Sequence, residues 1–274
     1  MSRIPFVKGH ACGNDFLILE ESQVETLGQN PHAALARKLC SRNTGIGADG
    51  IEFLDRRPNN EFFLRLFNAD GSEAELSGNG TRCVAAWLAA SEGLQQVALG
   101  THGGIRTCRL IRRDGVDYWI EIDMGVPRVM PRTIEIPGVD DPIDGVMVNV
   151  GNPHFILFPE NPDFSSHNLT WQQLGAKIAV DKLFPHGTNV EFVRLISPSE
   201  IAFRIYERGC GPTTSSGTGT CAASTAAIFR HNAARELTAI SEGGAQQIVW
   251  PTNSSEMLLT GPAEIICTGE VDFA

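Results

Sequence analysis

Short segments in which apolar residues alternate with polar ones, or cluster as β-branched and aromatic residues, recur along the whole chain and predict strands. In the first half they fall at 4–8, 15–20, 50–54, 61–68, 94–100, 104–112 and 117–123. In the second half they fall at 145–150, 154–159, 189–195, 200–207, 237–241, 246–250 and 256–260. Helical signals are fewer. Asn30-Pro31 marks the start of a helix running to about residue 41, with Pro at its first position. After Ser77 a helix runs through Cys83-Val84-Ala85-Ala86-Trp87-Leu88-Ala89-Ala90, apolar nearly all round and therefore expected to be buried. Helices over 170–180 and 217–231 take the corresponding places later, the second again small and apolar. Strands and helices do not alternate regularly, which predicts an α+β fold and not a regular βαβ wind.

The pattern repeats once. Phe67-Asn68-Ala69-Asp70-Gly71 leads to Ser77-Gly78-Asn79-Gly80-Thr81, and Tyr206-Glu207-Arg208-Gly209 leads to Ser216-Gly217-Thr218-Gly219-Thr220, each landmark 139 residues on. Ile51-Glu52-Phe53-Leu54 and Val190-Glu191-Phe192-Val193 share that offset, and Gly13-Asn14 matches Gly151-Asn152 at 138, each followed by an apolar run. A duplicated chain predicts two similar halves related by a pseudo-twofold, with equivalent residues lining the cleft between them. The expected domains are 1–118 with 262–274, and 119–261, with a linker where Pro and Gly concentrate between Gly125 and Pro142. The last strand, after Thr260-Gly261-Pro262, is expected to return to the first half.

Composition narrows the function. A formal charge of −10 argues against nucleic acid or an anionic membrane as partner. No apolar run reaches the length of a membrane helix, and MSRIPFVKGHACGNDF has no secretory apolar core. The seven cysteines are odd in number and lack CxxC spacing, so reduced thiols in a cytoplasmic protein are expected, with neither a metal site nor a disulfide framework.

SGNGT and SGTGT each feed a buried helix. Gly lets a backbone approach a ligand closely, and a helix start offers unpaired N–H groups that favour an anion such as carboxylate or phosphate. Neither turn is a dinucleotide fingerprint or a phosphate loop. Around them stand Asn14, Asn68, Asn152, Asn189, His154, Glu207 and Arg208, at landmarks of the repeat. Amides, an arginine and helix starts suit a small zwitterion with carboxylate and ammonium groups.

GNDF (13–16), FNADGSE (67–73), SGNGTRC (77–83), GNPHF (151–155), TNVEF (188–192), YERGCG (206–211), SGTGT (216–220) and TGPA (260–263) together resemble the diaminopimelate epimerase family over nearly the whole chain. The resemblance implies a cofactor-independent isomerase of two pseudo-symmetric domains, each a strand barrel around a central helix. It also implies a cytoplasmic homodimer in lysine and cell-wall biosynthesis, with an amino acid as its small-molecule substrate. It carries substrate binding to Asn14, Asn68, Asn152, Asn189 and Arg208, with Glu207, and seats the α-carboxylate on Gly78-Asn79 and Gly217-Thr218. His154 and Glu207 would flank the two bases.

At the bases the pattern breaks. The family places Cys directly before each glycine turn; here Ser77 and Ser216 stand there, and Pro212 stands where Glu is usual. A thiol can be tuned to a thiolate by a helix dipole, whereas a serine needs an adjacent base. Three readings of the paired serines stay open: a trapped form of an active epimerase, a natural variant with altered or weak chemistry, and a substrate-binding homologue without proton transfer. Diaminopimelate leads as substrate. The alternatives are another amino-acid racemase, a phenazine-biosynthesis-like isomerase, or a non-catalytic amino-acid-binding protein.

Overall fold

The structure, a computed structural model, describes residues 2–24, 27–28 and 30–273; residues 1 and 274, the ends of the expected first domain, lie outside them. The chain divides into two compact units, Met1–Asp123 with Thr260–Ala274, and Met124–Leu259.

The first unit contains β1 (Ser2–Ala11), β2 (Asn14–Glu20), α1 (Glu21–Val24), α2 (His32–Leu39), β3 (Gly50–Arg57), β4 (Glu61–Asn68), β5 (Glu73–Ala74), α3 (Gly78–Glu92), β6 (Gln96–Thr101), β7 (Gly104–Asp114) and β8 (Asp117–Asp123). The second contains β9 (Arg128–Ile134), β10 (Ile143–Asn149), β11 (Pro153–Leu157), α4 (Trp171–Ala179), β12 (Asn189–Ser197), β13 (Glu200–Glu207), β14 (Gly211–Thr213), α5 (Gly217–His231), β15 (Glu236–Ser241) and β16 (Gly244–Val249). The final strand, β17 (Leu258–Phe273), runs on into the first unit.

In the first unit β2 pairs parallel with β3, β3 antiparallel with β4, β4 parallel with β6, and β6, β7 and β8 antiparallel in succession. β17 joins β8 to β1, and β1 pairs with β2, so eight strands close into a barrel with β5 added on β4. The second unit repeats the order: β9–β10–β11 antiparallel, β11–β12 parallel, β12–β13 antiparallel, β13–β15 parallel, β15–β16 antiparallel, with β14 added on β13. Register is repeated too. Ile51 pairs with Phe67 as Val190 pairs with Tyr206. The fold is α+β, with two pseudo-symmetric barrel domains.

Each barrel wraps a helix. α3 touches β1, β2, β3, β6, β7 and β8, and α5 touches β9 to β13 with β15 and β16. Their small residues let the strands close in, and Cys83, Val84, Ala86 and Leu88 have no exposed surface to speak of. An outer helix covers the opposite face. α2 lays Leu35, Ala36 and Leu39 on Leu17, Leu19, Ile51 and Phe53. α4 lays Trp171, Leu174 and Ile178 on Phe155, Leu157, Val190 and Phe192. β2 is therefore buried on both faces, which explains its unbroken apolar run where β8 alternates.

Two local expectations need correction. The stretch from Gly125 to Pro142 holds a strand, β9, paired with β10 from Arg128↔Asn149 to Ile134↔Ile143. Its prolines masked it: Pro131 lies opposite Val146 and only forgoes one donor. In α2, Pro31 stands just outside the first helical residue, and Asn30 makes no cap because its φ is +50°.

Candidate active site

In the second unit most of the expected polar residues form one connected cluster. Ser216 is the cap of α5, and its Oγ accepts the Gly219 N–H at 3.2 Å. Its hydroxyl is 3.4 Å from Thr218 Oγ1. Asn152 donates to that same Thr218 oxygen at 3.3 Å and presents Oδ1 to His154 Nε2 at 2.8 Å. His154 Nδ1 lies 2.6 Å from Glu191 Oε1, with both side chains fully buried. Burial raises Glu191 above the usual carboxylate range, and His154 pulls it back. Since Asn152 Oδ1 can only accept, Nε2 carries a hydrogen, and Nδ1 and Glu191 share one further proton. Either placement leaves the pair with no net charge, which is what a fully buried pair requires.

Glu207, at the end of β13, accepts a hydrogen bond from Thr213 Oγ1 at 2.5 Å. Burial raises its carboxyl above the usual range, while hydrogen bonds from Thr213 and Ser216 favour its charged form. The next residue, Arg208, belongs to a second group. Its backbone N–H donates to Asn189 Oδ1 at 2.9 Å, and its Nη1 donates to the His186 carbonyl at 3.1 Å. Asn189 Nδ2 donates to the Pro153 carbonyl at 3.3 Å, so its amide clamps backbone at both ends. Gly187 makes room here: with φ at +73°, it leaves the space into which Arg208 Cγ and Cδ pack. Arg208 lines a cavity of about 710 Å³ with His186, Tyr206 and Cys210.

The first unit repeats the frame with different chemistry. Ser77 caps α3 and its Oγ accepts the Gly80 N–H at 3.0 Å. Asn79 Nδ2 donates to Asn14 Oδ1 at 3.1 Å, the same pair of positions as Thr218 and Asn152. From there the bonds lead away from the turn: Asn14 donates to Asp49 at 2.7 Å, and Arg42 grips both Asp49 and Asp15. Burial opposes the charge on Asp15, but Arg42 and Lys8 outweigh it and hold the carboxyl below its usual range. The fully buried Arg82 donates to Asn79 Oδ1 at 2.6 Å. Asn68 stays with its own turn, its amide donating to Ser72 Oγ at 3.0 Å. Gly78 and Gly217 open the two helices as buried residues.

Several residues in these clusters were not singled out from the sequence. Glu52 and Glu191 lay inside a matched segment, as acids amid apolar strand residues. That was the available signal. Asp49, Arg42 and Thr213 gave none, because their partners are distant in the chain.

No disulfide joins any of the seven cysteines. Cys83, behind the first turn, is fully buried, and burial pushes its thiol well up. Among the described residues no group of three or more His, Cys, Asp or Glu is placed to hold a metal ion, and no helix is long and apolar enough to cross a membrane.

The family model described as diaminopimelate epimerase matches residues 6–130 and 146–266. A diaminopimelate epimerase from Pelotomaculum thermopropionicum is 33% identical over 98% of this chain and 99% of its own length. One from Desulforudis audaxviator is 35% identical over 97% and 98%. Among solved structures, a phenazine biosynthesis protein of the PhzF family from Bacillus anthracis superposes with a TM-score of 0.75 at 14% identity, covering 100% of both chains. A probable proline racemase from Agrobacterium radiobacter, solved with bound carbonate, gives 0.74 at 17%, covering 99% of this chain and 93% of its own. These two share the fold; the matched model and the curated relatives go further, since they follow both halves through every glycine turn, and by them the chain belongs to the diaminopimelate epimerase family.

Proposed function

We propose that this isomerase interconverts LL- and meso-diaminopimelate without a cofactor, Ser77 serving one configuration of the α-carbon and Ser216 the other. The observation that carries the choice of substrate is Arg208: its backbone N–H is fixed by Asn189 and its guanidinium by the His186 carbonyl, beside an open cavity. A planar fork of donors suits a carboxylate, and diaminopimelate has a distal carboxylate that most amino acids lack. The N–H groups that open α3 and α5 suit the α-carboxylate. Glu207, its carboxyl raised above the usual range by burial, suits proton transfer. Asn14, Asn68 and Asn152 complete the proposed ligands, and the family reading makes the working species a cytoplasmic homodimer.

The test is incubation with each diaminopimelate stereoisomer and chiral separation of the products, together with calorimetry on Arg208→Lys. Interconversion of the LL and meso forms is expected. The variant should lose roughly tenfold or more in affinity for diaminopimelate, about the 1.5–3 kcal/mol of a charged hydrogen bond, and little for an amino acid with a neutral side chain. Equal losses for both would remove the diacid from the reading.

A further inference from the structure

We infer that Arg82 and Asp49 are positioning residues: from the two ends of one hydrogen-bonded chain they fix which way the Asn14 carboxamide faces. The inference rests on the reading of Asn14 as a substrate ligand and gives that ligand a direction.

Within the first unit the chain runs from α3 to the loop before β3. Arg82 Nη2 donates to Asn79 Oδ1 at 2.6 Å, and Asn79 Nδ2 donates to Asn14 Oδ1 at 3.1 Å. Asn14 Nδ2 donates to Asp49 Oδ2 at 2.7 Å, and Arg42 holds the other oxygen of Asp49 at 2.7 Å. The ends have fixed roles, because a guanidinium only donates and a carboxylate only accepts. Each amide between them therefore has one orientation that bonds on both sides. Turning Asn79 over sets donor against donor at Arg82 and acceptor against acceptor at Asn14. Turning Asn14 over does the same at Asn79 and Asp49. Turning both over mends the middle bond and breaks the outer ones.

The second unit shows that the frame does not need these ends. At the repeat offset of 139 residues, Cys221 stands in the place of Arg82 and Thr188 in that of Asp49, both fully buried. The same strand order wraps α5 with that small thiol in it, so Arg82 is not there to fill space, and a fully buried guanidinium is costly to keep. Asn152 lies between His154 and the Thr218 hydroxyl, groups that can each give or take a hydrogen. Asn14 is held instead between charges of fixed role. Its carbonyl is turned to the glycine turn, with one lone pair taken by Asn79. The second lone pair suits the ammonium of an amino acid and not its carboxylate.

The experiment records the side-chain amide signals of isotope-labelled protein by nuclear magnetic resonance, those of Asn14 assigned by their loss in Asn14→Ala. Calorimetry measures diaminopimelate affinity alongside. Either charged end alone keeps the direction, so Arg82→Met and Asp49→Asn should each leave one set of Asn14 signals and cost little affinity. The double variant should show two exchanging Asn14 orientations and lose roughly tenfold in affinity, the scale of one hydrogen bond to a charged group. Asn79→Asp keeps both ends but puts an acceptor on each side of Asn14. It should give the same exchange by itself, which decides the matter should the double variant not fold. One unchanged set of Asn14 signals in either protein overturns the inference. So do single losses of affinity that simply multiply in the double variant. If the wild type does not bind diaminopimelate, the substrate reading falls, and the amide signals alone decide this inference.

Discussion

Glu52 on β3 and Glu191 on β12 are equivalent by position, and one neighbour separates their chemistry. Glu191 has His154 at 2.6 Å, whereas Glu52 has Phe16 in that place. A buried acid without a partner stays neutral by holding its proton, and burial raises Glu52 to about 8 against an ordinary 4.5. The sign follows from proton binding. Below the ordinary value both folded and unfolded chains hold the proton, and Glu52 costs nothing. As pH rises through the window the unfolded chain releases it and the folded chain does not, so stability falls until the folded group itself ionises. The slope is about 1.4 kcal/mol per pH unit. Glu52→Gln should flatten that slope, so its stability relative to wild type should climb between pH 5.5 and 8, as read by urea unfolding. Identical slopes in the two proteins would show that Glu52 does not hold its proton across this range. At this scale the sequence was only partly legible. Ser216, His154, Asn152 and Thr218 stood out because landmarks of the repeat flank them. Asp49 did not, because its role depends on Arg42 and Asn14 arriving from other loops.

Helices α3 and α5 each start over a glycine whose side-chain space is already filled by a neighbouring side chain. A Cβ on Gly80 would lie 2.1 Å from Glu52 Oε1, and one on Gly219 would lie 2.5 Å from Ile205 Cδ1. By helix propensity alone, alanine at either position should stabilise by up to about 1 kcal/mol; the clash reverses that. Gly80→Ala should cost about 1–3 kcal/mol in chemical denaturation, and adding Glu52→Ala should recover most of it, since the two changes share one space. A loss in the double variant equal to that of Gly80→Ala alone would place the strain elsewhere. Element limits read well from the sequence where local chemistry decides them. Ser216 and the small apolar run after it fix α5, and the Thr170–Gln173 capping box fixes α4. They read poorly where tertiary pairing decides, as at β9, whose proline, with those flanking it, looks like a linker until β10 is beside it.

The repeat offset was legible for the whole molecule because duplicated landmarks survive where strand sequences drift, and the matching parallel pairs β2–β3 and β11–β12 confirm one topology used twice. The chemistry is not used twice, and restoring thiols should show it. Ser77→Cys with Ser216→Cys should raise epimerisation by at least about 10²-fold, and each single change should do far less, because inversion needs a proton taken by one group and given by another. No gain in the double variant would mean that thiols are not what limits inversion here. The barrel seam has a different consequence, for the birth of the chain. β1 finds its partner in β17, from Ser2↔Phe273 to His10↔Glu264. A ribosome delivers β1 well before β17, so the first barrel stays open along that seam until β17 emerges, after β9 to β16 of the second unit. Until then β1 is paired only along its β2 edge, and a stalled nascent chain ending before Leu258 should leave β1 cleavable by protease where the released protein resists.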